Sequence, residues 1–130
     1  MRLILFLILL VLCLFSCKKE ETVSPGLFGK WELRRMTGGL AGADSSYKAG
    51  NGNIFVFNSD STYSRYLNGK FYNNGTFSIP KDNNPTDNSA PVIYLDHNTS
   101  GLELNIKGTE LTLGSDYADG MVSTYTKIHN

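Results

Sequence analysis

Leu102-Glu103-Leu104-Asn105-Ile106-Lys107-Gly108-Thr109-Glu110-Leu111-Thr112-Leu113 alternates apolar and polar residues on either side of a glycine. Successive side chains of a strand point to opposite faces, so Leu102, Leu104 and Ile106 share one face and Glu103, Asn105 and Lys107 the other. Leu111 and Leu113 repeat the rule beside Glu110 and Thr112. Lys107-Gly108-Thr109 is a tight turn between the two runs, which makes them an antiparallel hairpin with one apolar face. A helix would need apolar residues spaced at three and four, and no segment from Leu27 onward sustains that spacing.

Working outward, Asn53 to Asn58 carries Ile54, Phe55, Val56 and Phe57, then turns at Ser59-Asp60 into Thr62 to Leu67. Asn68-Gly69 is a type I′ turn signal, since both residues tolerate positive φ. Lys70-Phe71-Tyr72 and Gly75 to Ile79 come next, either as one long strand with a bulge at Asn74-Gly75 or as two short ones. Pro80 to Pro91 is a polar, proline-bearing loop. Lys30 to Arg35, Val92 to Leu95 and Thr124 to Ile128 complete the set. The pattern predicts an all-β domain, an antiparallel up-and-down β-barrel of about eight strands, with no helix long enough for a crossover connection. The long exception among its connections is the glycine-rich stretch Thr37 to Gly52, between the first and second strands.

The amino terminus has a different character. Met1-Arg2 is a basic start, Leu3 to Phe15 is an unbroken apolar run, and Lys18-Lys19-Glu20-Glu21 comes after it. The run is too short for a spanning helix, which needs about 20 apolar residues, and it has the form of a secretory signal. Leu14-Phe15-Ser16-Cys17 resembles the lipobox of bacterial lipoproteins, which implies lipidation of Cys17 and cleavage before it. The chain then divides into a signal peptide (1–16), a lipidated cysteine with a linker (17–26) and a β-barrel domain (27–130). With Cys13 removed and Cys17 acylated, no disulfide is available. Two or three acyl chains give stable anchoring where one is marginal, so the expected partner is a membrane. The charge cluster after Cys17 is similar to the export signal of some surface-displayed Gram-negative lipoproteins. The expected location is the outer membrane, on its periplasmic or cell-surface face.

Composition narrows the function classes. Twelve basic and twelve acidic side chains give a formal charge of +0, which offers no basic field for nucleic acid. His97 follows Asp96 and precedes Asn98-Thr99-Ser100-Gly101, which reads as a solvated turn before a cation site; His129 is beside the terminus. Asp82, Asp87 and Asp96 offer at most a weak calcium contact, and no regular metal-binding motif is present. No serine elbow accompanies a histidine, and the glycine-rich stretch lacks the lysine and helix of a phosphate loop. The sequence thus offers no catalytic residue, metal site or cofactor. It does offer tyrosines, whose polar tip suits a pocket mouth, and Tyr47 in the glycine-rich stretch is the candidate mouth residue.

Gly29-Lys30-Trp31 matches the Gly-X-Trp feature of lipocalins. Gly38-Gly39-Leu40-Ala41-Gly42, Phe57 to Tyr63, Gly75-Thr76-Phe77-Ser78-Ile79 and Tyr125-Thr126-Lys127-Ile128 extend the match. Together, from Leu27 to Ile128, the chain resembles the small lipocalin-like domains of bacterial lipoproteins. The resemblance implies that Trp31 plugs the closed end of the barrel beside Gly29. It also implies that Lys127, where lipocalins usually carry an arginine, packs over the indole. The expected function is non-catalytic binding of a small apolar or amphipathic ligand. The alternative is a solid barrel whose loops meet a protein or glycan at the cell envelope, with the protein partner unknown.

Overall fold

The computed structural model describes residues 26–80, 90–115 and 119–129. The signal peptide, Cys17, the linker up to Pro25, and Asp82 and Asp87 lie outside the described residues. Nine strands are present among the described residues: β1 (Gly29–Gly38), β2 (Ala43–Ser46), β3 (Ile54–Phe57), β4 (Thr62–Leu67), β5 (Lys70–Ser78), β6 (Val92–Leu95), β7 (Leu102–Lys107), β8 (Glu110–Gly114) and β9 (Met121–Ile128). They form one antiparallel sheet in the order β2-β1-β3-β4-β5-β6-β7-β8-β9, and β9 pairs back onto β1, so the sheet closes as a small barrel. The all-β, antiparallel expectation is met.

The extra strand is β2, which lies in the stretch read as a loop. Its residues Ala43 to Ser46 pair with Gly38 to Arg35, while β3 pairs with Glu32 to Gly29. The two short strands therefore share one flank of β1. No apolar alternation marks β2, because all four of its residues are exposed and none reports to the core. Strands β1 and β9 are also longer than expected: their additional residues, outside the buried core, are held by the ladder from Met36↔Ser123 to Gly38↔Met121.

Inward positions carry the core. Trp31, Phe55, Phe57, Tyr63, Phe77, Ile93, Leu104, Leu111 and Leu113 are buried together with Leu27. Phe55 and Phe57, two apart on β3, stack with ring centroids 4.4 Å apart, and Phe57 meets Phe77 edge-on at 5.3 Å. Such pairs each contribute about 0.5–1.5 kcal/mol beyond the area they bury.

Two bulges adjust this alternation. On β1, Leu33 pairs with Tyr125 and Arg35 with Thr124, leaving Arg34 as the extra residue. A one-residue insertion reverses the parity of the residues after it, so Leu33 and Met36 both reach the same side. On β5, Arg65 faces Asn73 and Tyr66 faces Phe71, so the extra residue is Tyr72. The strand is single and long, with its bulge at Tyr72 and not at Asn74-Gly75. Gly75 stays in register opposite Tyr63.

Gly75 has a different task. A Cβ there would stand 1.8 Å from Oδ1 of Asp96. The open space lets Asp96 accept hydrogen bonds from the Thr76 amide at 2.9 Å and from the Tyr63 hydroxyl. This carboxylate pins a narrow seam of the barrel, where β5 and β6 share only the pairs Phe77↔Leu95 and Ser78↔Tyr94. Asp96 and His97 both have positive φ, as the tight turn after β6 requires. Burial, then the hydrogen bond to Asp96, pushes the Tyr63 phenol up to about 12. Because its folded pKa is raised above the usual 10.0, Tyr63 contributes stability that is present below pH 10 and lost as pH rises toward about 12. Gly75→Ala evicts the carboxylate and leaves the buried phenol unpaired. It is expected to cost about 1–3 kcal/mol, read as a lower urea midpoint with an unchanged slope, and to remove the part of the alkaline loss of stability that the Asp96 hydrogen bond causes.

Candidate functional site

Two regions of the barrel interior differ in kind. At the end where β1 begins and β9 finishes, Trp31 is fully buried and its indole N–H donates to the Leu27 carbonyl at 2.7 Å. Lys127 is its cross-strand neighbour on β9. The Lys127 ammonium lies 5.1 Å from the indole centroid and donates to the Gly26 carbonyl at 3.0 Å. Gly29 sits beneath the same side chain, where a Cβ would come within 3.3 Å of Cε. Gly29, Trp31 and Lys127 thus meet at one end.

The interior further along β1 is hollow. A cavity of about 280 Å³ lies between β1, β3, β4 and β9. Leu33 and Met36 line it from β1, Ile54 and Phe55 from β3, and Tyr66 and Leu67 from β4. Tyr125 and Ser123 face it from β9. Ser123 explains part of the space, because it occupies an inward position between Met36 and Leu113 with a side chain far smaller than theirs. Burial pushes the Tyr125 phenol up, against the opposing effects of its hydrogen bond with Ser123 and of the Arg65 charge. The phenol is therefore neutral at physiological pH, a hydrogen-bonding group and not an anion.

Tyr47 and Asn53 complete the wall. Tyr47 is held by its amide, which donates to the Arg34 carbonyl at 2.8 Å, and its hydroxyl reaches the Met36 sulfur at 3.6 Å. The next segment of chain is fastened from below. Glu32 points out of the barrel yet is buried, and its carboxylate accepts from the amides of Gly50 at 3.1 Å and Gly52 at 3.2 Å and from the Arg34 guanidinium. The Asn51 side-chain amide donates to the Leu33 carbonyl at 2.8 Å, and the Gly69 amide to the Gly52 carbonyl at 2.9 Å. A Cβ on Gly52 would lie 2.3 Å from the Gly69 nitrogen, so only glycine permits this crossing of the β4–β5 turn. The glycine-rich connection is a strap.

The expected mouth residue, Tyr47, is thus part of the cavity wall. Arg65, Met36 and Ser123 were not singled out by the sequence. Arg65 had a signal, since it is two residues from core Tyr63 on the same strand and therefore shares its inward face. Met36 had none, because its direction depends on the bulge at Arg34. Asp96 is engaged by Tyr63 and Thr76. Among the described residues no group of three or more His, Cys, Asp or Glu is placed to hold a metal ion.

Comparison with known proteins brings no match: no family model, no curated protein and no solved structure matches the chain.

The fastening of the strap is testable. Burial alone would raise the Glu32 carboxyl. The hydrogen bonds from Arg34, Gly50 and Gly52 overcome it and hold the group below its usual 4.5. A depressed folded pKa means that this contribution is present above pH 4.5 and lost as pH falls through the lower folded value. Glu32→Gln is expected to destabilise the protein by about 1–3 kcal/mol at neutral pH and to flatten the acid limb of its stability curve. Thermal unfolding between pH 7 and pH 3 measures both.

Proposed function

We propose that the chain is a lipid-anchored bacterial lipoprotein whose lipocalin-like barrel binds a small apolar or amphipathic molecule and catalyses no reaction. The observation that carries the reading is the 280 Å³ cavity, with aliphatic and aromatic walls and a few polar groups at its edge. Ligand pockets have that composition, and this one is near the lower end of their usual size, about 300–1,000 Å³. The Leu14-Phe15-Ser16-Cys17 motif after a short apolar run supports an anchor at Cys17 in the outer membrane, on either face. The meeting of Gly29, Trp31 and Lys127 at one end of a closed antiparallel sheet supports the lipocalin-like part of the reading.

One observation favours the interaction-module alternative. Leu67, Phe71 and Tyr72 on the β4–β5 hairpin are 41%, 60% and 57% exposed, an apolar tip suited to a protein or glycan surface.

Native mass spectrometry of the protein after exposure to its own envelope extract separates the two. The expected result is a reproducible added mass that disappears on denaturation and is absent from Ser123→Phe, whose ring fills the cavity. A bare protein would favour the interaction module. Cys17→Ser is expected to abolish incorporation of labelled palmitate and to move the protein from the membrane to the soluble fraction; unchanged membrane association would remove the anchor from the proposal.

A further inference from the structure

We infer that the cavity selects an anionic amphiphile, a molecule with one carboxylate or comparable anionic head and a short apolar body, and that Arg65 is the residue that recognises the head. The inference rests on the ligand-binding reading and specifies the ligand's chemistry.

Among the described residues Arg65 is the one charged residue of the cavity wall. Its direct cross-strand partner on β3 is Phe55, a core residue, so the guanidinium is on the inner face of the sheet. Its Cζ lies over the Phe55 ring, 5.4 Å from the centroid, and over the Tyr72 ring, 5.6 Å from its centroid. These contacts use none of the guanidinium's N–H donors, which form a fork suited to a carboxylate. No acid takes that fork: the two ion pairs among the described residues are Arg34–Glu32 and Arg35–Asp44, and both involve the outer face of β1. An arginine that merely completed the fold at this point would be expected to find one of the many acids of the chain.

A second observation is independent of the charge. Asn73 is the cross-strand partner of Arg65 on β5, so the two share a face. Its side-chain oxygen is buried and has no hydrogen-bond partner. An unmet buried polar atom is costly and marks a missing partner. Half a turn of the amide exchanges that oxygen for an N–H donor, which would place two donor groups side by side. An anion, which only accepts, satisfies both. The size of the cavity limits the rest of the molecule. At about 30 Å³ per water-sized group, 280 Å³ accommodates a body of about nine non-hydrogen atoms.

Octanoate and 1-octanol share such a body and differ in the head. Titration calorimetry of the full chain at pH 7.5 is expected to show octanoate binding about tenfold more tightly than octanol, as a charge-assisted contact to a guanidinium allows. Arg65→Gln is expected to erase that preference while changing octanol affinity less than about twofold, and Arg65→Lys to restore part of it. In the unaltered protein, raising the salt concentration should weaken octanoate and leave octanol unchanged, a readout that does not depend on any variant folding. Equal binding of both molecules, with no salt effect, would overturn the anion inference and leave the cavity reading standing. Binding of neither would overturn both.

Discussion

Everything in this barrel depends on one strand having two full edges. Strand β1 gives one edge to β9 along its whole length, from Lys30↔Ile128 to Gly38↔Met121. It gives the other to β3 and β2 in succession. Without the first pairing the sheet would be open, with a row of unsatisfied amides and carbonyls on each side. Without the second, the outer half of β1 would have no neighbour beyond β9. Closure also brings Trp31 against Lys127 and Leu33 against Tyr125, so the plugged end and the hollow region are both built on the same ladder.

The hollow arises from two local departures from regularity. The bulge at Arg34 turns Met36 toward the interior, and it also puts Glu32 and Arg34 close enough on the outer face to form an ion pair. That pair is the seat on which the glycine-rich strap is fastened, and the strap carries Tyr47 to the cavity wall. A small change in backbone count on one strand is thereby transmitted to the shape of the pocket. The same economy of structure appears on the opposite wall, where the Arg65 guanidinium lies near the rings of both Phe55 and Tyr72, the latter being the bulged residue.

The all-β class and most strands were legible because alternation and turn chemistry are local properties. Leu102 to Leu113 forms the hairpin its pattern implies, and Asn68-Gly69 adopts positive φ at both positions. Strand β2 was illegible because Ala-Asp-Ser-Ser has no buried face to imprint a period on it; its place is set by the ladder to β1. The bulges were hidden for a related reason, since an inserted residue is defined by the register of two strands and not by either alone. Of the site, Tyr47 could be named from its residue type and its loop. Arg65 could have been found from parity with Tyr63, whereas Met36 and the outward, buried Glu32 needed the three-dimensional arrangement.

The narrow seam between β5 and β6 gives the barrel an uneven resistance to opening. Most neighbouring strands are joined along four or more register pairs, but β6 holds β5 through two and β7 through two. A closed ring under thermal strain parts at its weakest joint, and the free energy of such a local event is below that of global unfolding. The Asp96 carboxylate acts there as a clasp on a hoop with one loose stave. The walls around the cavity, built on β1, β3, β4 and β9, belong to the firm side of the hoop, so breathing at the clasp can occur while the pocket keeps its form.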